Sequence, residues 1–363
     1  MTLYVQRLAN RLSAAGVRVV VLATTAGAEV APDVRVHHVT PGRMLAIECG
    51  RFAWTERIDL LHFHTFGAAW KELLPFLALR RLAALPVIVS QHSFIADVEA
   101  MTARERLMLA LCSNGVSRVV TSGPSVHAKQ VQVGTAPGQL SPIVPFLAPP
   151  MADLAIARWP ADIAAVRQRR GPLIASGTGR LVATKGLDLY GLDQFVRAAR
   201  KVLVDRPDAG FVYLIGAHGD AGLLESATSY VRDQGLQDAV CIHVGDLPGP
   251  VMWQAADVYV RPTLDDGDAV SIREAMHLGV PAVASDAVGR PPGCRTYRSG
   301  DADDLARVIL DMTADLAASR QLVAANRPQE GFDALLEVYR QTLRDLPARE
   351  RLLMALRRKL GVG

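Results

Sequence analysis

RPTLDDGDAVSIREAMHLGVPAVASD, residues 261–286, is the stretch on which the fold turns. Two carboxylates, Asp266 and Glu274, stand eight residues apart in it. Between them the run Asp265, Asp266, Gly267, Asp268 predicts a turn, and a helix begins near Val270 and Ser271. A strand follows at once, Pro281 to Ser285. An acid, a bendable loop and a helix N-terminus can together hold a sugar phosphate. Loop N–H groups and the helix dipole receive anionic oxygens, and a carboxylate accepts hydrogen bonds from hydroxyls. An ordinary loop–helix–strand unit with a capping acid has the same layout, so the reading depends on what surrounds it.

Outward from this stretch, short strands alternate with helices in both directions. Downstream, helix is expected over 303–325 and again from Phe332 to Leu343. Upstream, strands are expected at Val258 to Arg261, Val240 to Val244 (ending in Gly245), Phe211 to Ile215 and Pro172 to Gly177. Arg180 and Lys185 flank a short turn after the last of these. The first half repeats the alternation with strands at 17–24, 34–39, 58–64, 86–90 and 118–122. Strands alternating with helices make a parallel sheet covered on both faces, and ligands sit at the carboxyl ends of its strands. His62, His64, His92 and Ser93 fall at such ends. His62 reads as a packed residue; His92 opens a loop and reads as functional. The chain opens on a helix over 3–15 where a parallel α/β domain opens on a strand.

The totals bound the answer. At 363 residues, half of them apolar and 21% charged, the chain needs two cores. Pro142 to Pro150, PIVPFLAPP, is rigid and extended, and it separates them. A net charge of +4 excludes a dedicated nucleic-acid binder. Much of the basic excess lies in the tail, Arg349, Arg351, Arg357, Arg358 and Lys359 against Glu350. The tail sequence LLMALRRKLG fits a solvated terminal helix first, and a basic amphipathic segment that touches membrane surfaces second. Cys49, Cys112, Cys241 and Cys294 are widely spaced, which fits neither a zinc site nor a disulfide framework. No signal-peptide pattern and no apolar run of about 18 residues is present. A cytoplasmic location is expected, either free or at the inner face of the membrane.

Taken together, GRLVATKG (Gly179 to Gly186) and the stretch 261–286 resemble the retaining nucleotide-sugar glycosyltransferases of the GT-B fold, family 4 in particular. FVYLIG and VGDLPGPVMWQAADVYV, between them, are similar to the family's core segments, and the resemblance spans Leu173 to Leu343. LANRLSAAGVRVVVLAT, IDLLHFHTFG and PVIVSQHS follow the family's order in the first half. The resemblance implies an α/β fold of two Rossmann-like parallel-sheet domains facing a cleft, the first lacking its opening strand. The implied division is an acceptor-side domain at 1–150, a linker at 151–171, a donor-binding domain at 172–325, and a helix with basic tail at 326–363 that returns towards the first domain.

The resemblance also implies roles. Arg180 and Lys185 stand at the basic pair that neutralises the donor diphosphate. Glu274 stands at the second acid of the Glu-x7-Glu motif, on the ribose. Asp266 stands at the first acid, near the donor sugar, and is one methylene shorter than the usual Glu. Gly267, Asp268, Ala269, Val270 and Ser271 form the loop over the diphosphate, with Gly245 on the donor side. His92 lies near the reacting sugar and His64 on the acceptor side. Asp266 and Asp268 spell D-G-D, but in the donor loop, so neither a metal nor a cofactor is expected. The implied partners are a nucleotide-sugar donor and a saccharide or lipid-linked acceptor, as in cell-surface polysaccharide synthesis. The alternatives are a non-catalytic nucleotide-sugar binding subunit, favoured if the opening strand is truly absent, and a nucleotide-sugar epimerase of the same fold.

Overall fold

The computed structural model describes residues 3–23, 30–39, 45–65, 70–94, 97–155, 158–169, 171–184, 186–266 and 269–360. The chain forms two compact units, Met1–Leu147 with Glu330–Gly363, and Ala148–Gln329.

The N-terminal unit opens on α1 (Leu3–Ala14). The parallel pair β1 (Val20–Ala23) and β2 (Arg35–His38) follows, then α2 (Leu45–Thr55). A four-stranded parallel sheet comes next, in the order β3 (Leu61–Thr65), β4 (Val87–Gln91), β5 (Arg118–Thr121), β6 (Leu140–Pro142). Its connections are α3 (Trp70–Ala83), α4 (Ala103–Gly115) and α5 (Pro124–Gln132). Thr102 and Glu105 close a capping box that starts α4. Every residue of β4 is buried, so this strand lies inside the sheet. Side chains alternate across it. Val87 and Val89 pack with Cys49, Leu73, Phe76 and Leu109 of α2, α3 and α4. Ile88 packs with Leu8 and Leu12 of α1 and with Leu335 and Val338 of α13 (Phe332–Arg344). The last helix, α14 (Ala348–Leu360), is the basic tail.

The C-terminal unit begins earlier than its first strand. The stretch read as a plain connection contains α6 (Ala161–Arg167), whose Ile163 and Val166 are buried in the core with Trp253 and Tyr259. Their spacing of three places both on one helix face, which is why the segment docks. A six-stranded parallel sheet follows, of β7 (Leu173–Arg180), β10 (Gly210–Ala217), β11 (Val240–Val244), β12 (Val258–Arg261), β13 (Ala282–Ser285) and β14 (Arg295–Tyr297). The spatial order is β11-β10-β7-β12-β13-β14. A small antiparallel hairpin, β8 (Ala183–Thr184) and β9 (Leu187–Asp188), follows β7. On one face lie α7 (Leu192–Asp205), α8 (Ala221–Asp233) and α11 (Ala302–Ala314), around Phe195, Phe211, Tyr213 and Leu305. On the other, with α6, lie α9 (Gly249–Ala255), α10 (Val270–His277) and α12 (Leu316–Ala325). The single helix expected over 303–325 is broken at Asp315, whose side chain accepts from the Ala318 N–H and caps α12. Asp stabilises a helix start better than a helix interior.

Strand order fixes where a ligand belongs. From β7 the chain moves outward to β10 and β11, then returns to add β12 on the other side. The order therefore reverses between β7 and β12, and such a switch point opens a crevice at the carboxyl strand ends.

Candidate active site

The end of β12 brings a charge into the C-terminal core. Val258, Tyr259 and Val260 are buried, and Arg261 ends the strand. Its Nε donates to Asp266 Oδ2 at 3.1 Å and its Nη1 to the Gly177 carbonyl of β7 at 3.2 Å. Arg290, past β13, donates through Nη1 to the same Asp266 oxygen at 3.2 Å. Thr263 Oγ1 donates to it as well, at 3.2 Å. Arg290 is further fixed by the Ser285 carbonyl and hydroxyl and by Thr263. Burial alone would push the Asp266 carboxyl up; the two guanidiniums outweigh it and hold it below the usual carboxylate range. Asp266 is thus anchored by two arginines. Sequence reasoning assigned neither of them a role. A charged residue ending an otherwise apolar buried strand, VYVR, was the available signal for Arg261. Arg290 lies in a loop and gave none.

Glu274 is buried on α10, among Ile272, Ala275 and Met276. Ala269 precedes that helix without a side-chain cap, so the first N–H groups are capped by no side chain of the Ncap residue. The Ser271 hydroxyl accepts from Tyr259 Oη at 2.7 Å, which ties it to the strand behind. Arg180, exposed at the end of β7, has no ion-pair or side-chain hydrogen-bond partner among the described residues. Lys185, Gly267 and Asp268 lie outside the described residues. Gly245 follows the edge strand β11, three strands from β12, or about 14 Å at ordinary strand spacing.

Gly191, which starts α7, ties this region together. It has φ +70°, and a Cβ there would meet the Pro262 carbonyl oxygen at 1.8 Å. Leu264 N–H donates to the Leu189 carbonyl nearby. Gly191→Ala is expected to cost about 2 kcal/mol or more, from left-handed backbone strain plus displacement of the 262–264 segment. The urea midpoint of the full chain reads this. An unchanged midpoint would mean the segment yields freely.

The N-terminal unit carries a histidine cluster. His64 of β3 and His92, just past β4, are bonded Nδ1 to Nε2 at 3.0 Å, with rings stacked. The His92 N–H donates to the Thr65 carbonyl. His62, two residues back on the same face of β3, bonds Tyr339 Oη of α13 at 2.5 Å and Ser90 Oγ at 2.8 Å. Tyr4 of α1 meets His64 and His92 edge-on. Burial lowers His92 to about 4. Burial, with His92 beside it, lowers His62 to about 3, and His64 is held well below its usual value by burial and both neighbours. All three are neutral near pH 7. The topology joins His64 and His92, as their strand ends imply, and shows His62 as a bonded packing residue. Tyr4 and Tyr339 escaped sequence reading because each sits in an amphipathic helix as one more apolar position.

Comparison with known proteins bears on the fold and the family. Residues 1–147 match the description Glycosyltransferase Family 4, and residues 178–315 match Glycosyl transferases group 1. A 2-deoxystreptamine N-acetyl-D-glucosaminyltransferase of Streptomyces fradiae is 26% identical over 297 residues, covering 77% of this chain and 68% of its own. Among solved structures, Anabaena HepE in complex with UDP and glucose superposes with TM-score 0.69 at 18% identity, over 95% of both chains. A Rickettsia africae glycosyltransferase gives 0.70 at 12% identity, over 93% of this chain and 94% of its own. Two sheet-centred units of GT-B type, each matched by its own half of one family, place this chain in glycosyltransferase family 4, the glycosyl transferases group 1.

Proposed function

We propose that this family-4 glycosyltransferase moves a sugar, with retention and without a metal, from a nucleoside diphosphate donor to a saccharide or lipid-linked acceptor. The observation that carries the reading is the end of β7 and β12. There Arg180, with no ion-pair partner among the described residues, the half-buried Asp266 and the buried Glu274 stand at the switch point of one sheet. The Arg180 guanidinium, with Lys185, neutralises the charge that grows on the diphosphate as it leaves. The start of α10 receives phosphate oxygens through its N–H groups. Glu274 accepts from the ribose hydroxyls, and Asp266 from hydroxyls of the donor sugar. Because Asp266 is short and pinned, it reaches less far than a glutamate there, which restricts the sugar. His92 orients the reacting sugar and His64 faces the acceptor side. Synthesis of a cell-surface polysaccharide or glycoconjugate, at the inner face of the membrane, accounts for a lipid-linked acceptor.

Calorimetric titration with UDP, GDP, ADP and TDP tests the donor site directly. One of them is expected to bind, with Glu274→Gln and Arg180→Ala each weakening it about tenfold, the worth of one charge-assisted hydrogen bond. No binding of any nucleotide would sink the reading. Binding without sugar transfer would instead assign a nucleotide-sugar binding subunit, and isomerised donor in the absence of acceptor an epimerase.

A further inference from the structure

Helices α2, α3 and α4 cover one face of the N-terminal sheet, and their outer sides share a pattern that no donor or acceptor chemistry uses. On α2, Ile47, Arg51 and Trp54 form one outward stripe, opposite Cys49 and Ala53. On α3, Lys71, Leu74 and Arg81 are exposed, while Leu73 and Phe76 face the core. On α4, Arg104, Leu107 and Leu111 lie opposite Leu109 and Cys112. The five large apolar side chains, Ile47, Trp54, Leu74, Leu107 and Leu111, are between 42% and 62% exposed. Neighbouring helices pack pairwise, α2 on α3 and α3 on α4, so the three stripes form one continuous face. Isolated exposed leucines are ordinary, but five on one face are a patch.

Charge selects the occupant. Each helix carries one acid, and the three together carry an excess of exposed cations; Glu72 and Glu105 are exposed but hydrogen-bonded locally, and Glu105 also lies near Lys71. Glu72 accepts from Thr65 Oγ1 at 2.9 Å, Glu105 closes the capping box with Thr102, and Glu48 has a buried Oε2. Arg80 is tied to the Gly115 and Val116 carbonyls, while Arg51, Lys71, Arg81 and Arg104 stay outward, Arg51 over the Phe52 ring and Lys71 over the Trp70 ring. Protein interfaces deplete lysine and separate charge from their apolar centre. A lipid surface wants the reverse, apolar side chains and tryptophan interleaved with lysine and arginine that reach the headgroups.

We infer that the outward face of α2, α3 and α4 docks on an anionic lipid bilayer. This deepens the lipid-linked acceptor reading, but its test reads binding alone and stands apart from turnover. Apolar side chains enter the headgroup boundary while the arginines and Lys71 pair with lipid phosphates, so the face, rather than the basic tail, is the principal contact.

Sedimentation of the full chain with phosphatidylglycerol vesicles, against phosphatidylcholine vesicles, tests it. Selective binding to phosphatidylglycerol is expected, weakened by salt. Trp54 emission shifts to the blue, and Trp54→Phe binds without that shift. Leu107→Gln with Leu111→Gln lowers the partition coefficient about tenfold, as lost apolar burial requires. Arg51→Glu with Arg104→Glu lowers it without touching the apolar contacts. A full-length chain with Arg349→Gln, Arg351→Gln, Arg357→Gln, Arg358→Gln and Lys359→Gln keeps most of the binding. Three results overturn the inference. One is equal binding to both vesicles. Another is binding lost in the tail variant but kept in the leucine variant. The third is self-association in lipid-free buffer that the leucine variant abolishes, which would give the face to a second copy of the chain.

Discussion

Asp266→Asn is expected to lower the stability of the C-terminal unit by about 3–5 kcal/mol, the usual cost of leaving buried charge uncompensated. The substitution keeps the side chain's size and removes only its charge. Arg261 and Arg290 then face each other with no anion between them, their side chains 12% and 3% exposed. Urea unfolding of both chains measures the difference. Arg290→Met combined with Asp266→Asn should cost less than the sum of the two single changes, because the repulsion is then gone. A loss below about 1 kcal/mol would show that the cluster is solvated. The pH dependence has a definite sign. The Asp266 carboxyl is held below its unfolded value, so its contribution is complete above that value, about 3.9, and is lost as pH falls through the lower folded one. The asparagine variant should therefore lose its deficit relative to the parent only in strong acid.

A second loss comes earlier on acidification and belongs to the other unit. His62 and His92 are lowered to about 3 and about 4, while an unfolded histidine titrates near 6.5. Between those values the unfolded chain binds more protons than the folded one, so stability rises with pH there. Each histidine contributes at most about 1.4 kcal/mol per pH unit, and two of them remove about 3 kcal/mol between pH 6.5 and 5. Ordinary carboxylates are still ionised across that window. Calorimetric melting of the full chain at pH 7, 6 and 5 reads it. His62→Gln and His92→Gln should each flatten the profile. A melting temperature that does not change from pH 7 to 5 would mean that the three rings are hydrated enough to charge in place.

Both predictions rest on partners that reading along the chain did not supply. Periodicity and turn residues located most strands within a few residues, since buried parallel strands are runs of β-branched residues bounded by Gly and Pro. The placing of Asp266 after a strand and Glu274 on the next helix was legible from the turn residues between them, and that of His64 and His92 from the strand ends. Arg261, Arg290, Tyr4 and Tyr339 were not, because each acts through contacts between elements that lie far apart along the chain, as Tyr339 and His62 do. The hairpin after Arg180 and the helix at 161–167 were also missed. They are too short for periodicity to separate from loop.

The contact of α13 with Ile88, Val120 and His62 also sets an order of events during synthesis. The C-terminal unit, Ala148–Gln329, is continuous in the chain and has all its residues as soon as they leave the ribosome. The N-terminal unit, although translated first, lacks part of its core until Leu335, Val338 and Tyr339 emerge. Domains usually mature in the order of synthesis. Here the second to be made is the first that can finish, and a ribosome stalled before residue 330 would leave the first half with an uncovered apolar sheet face.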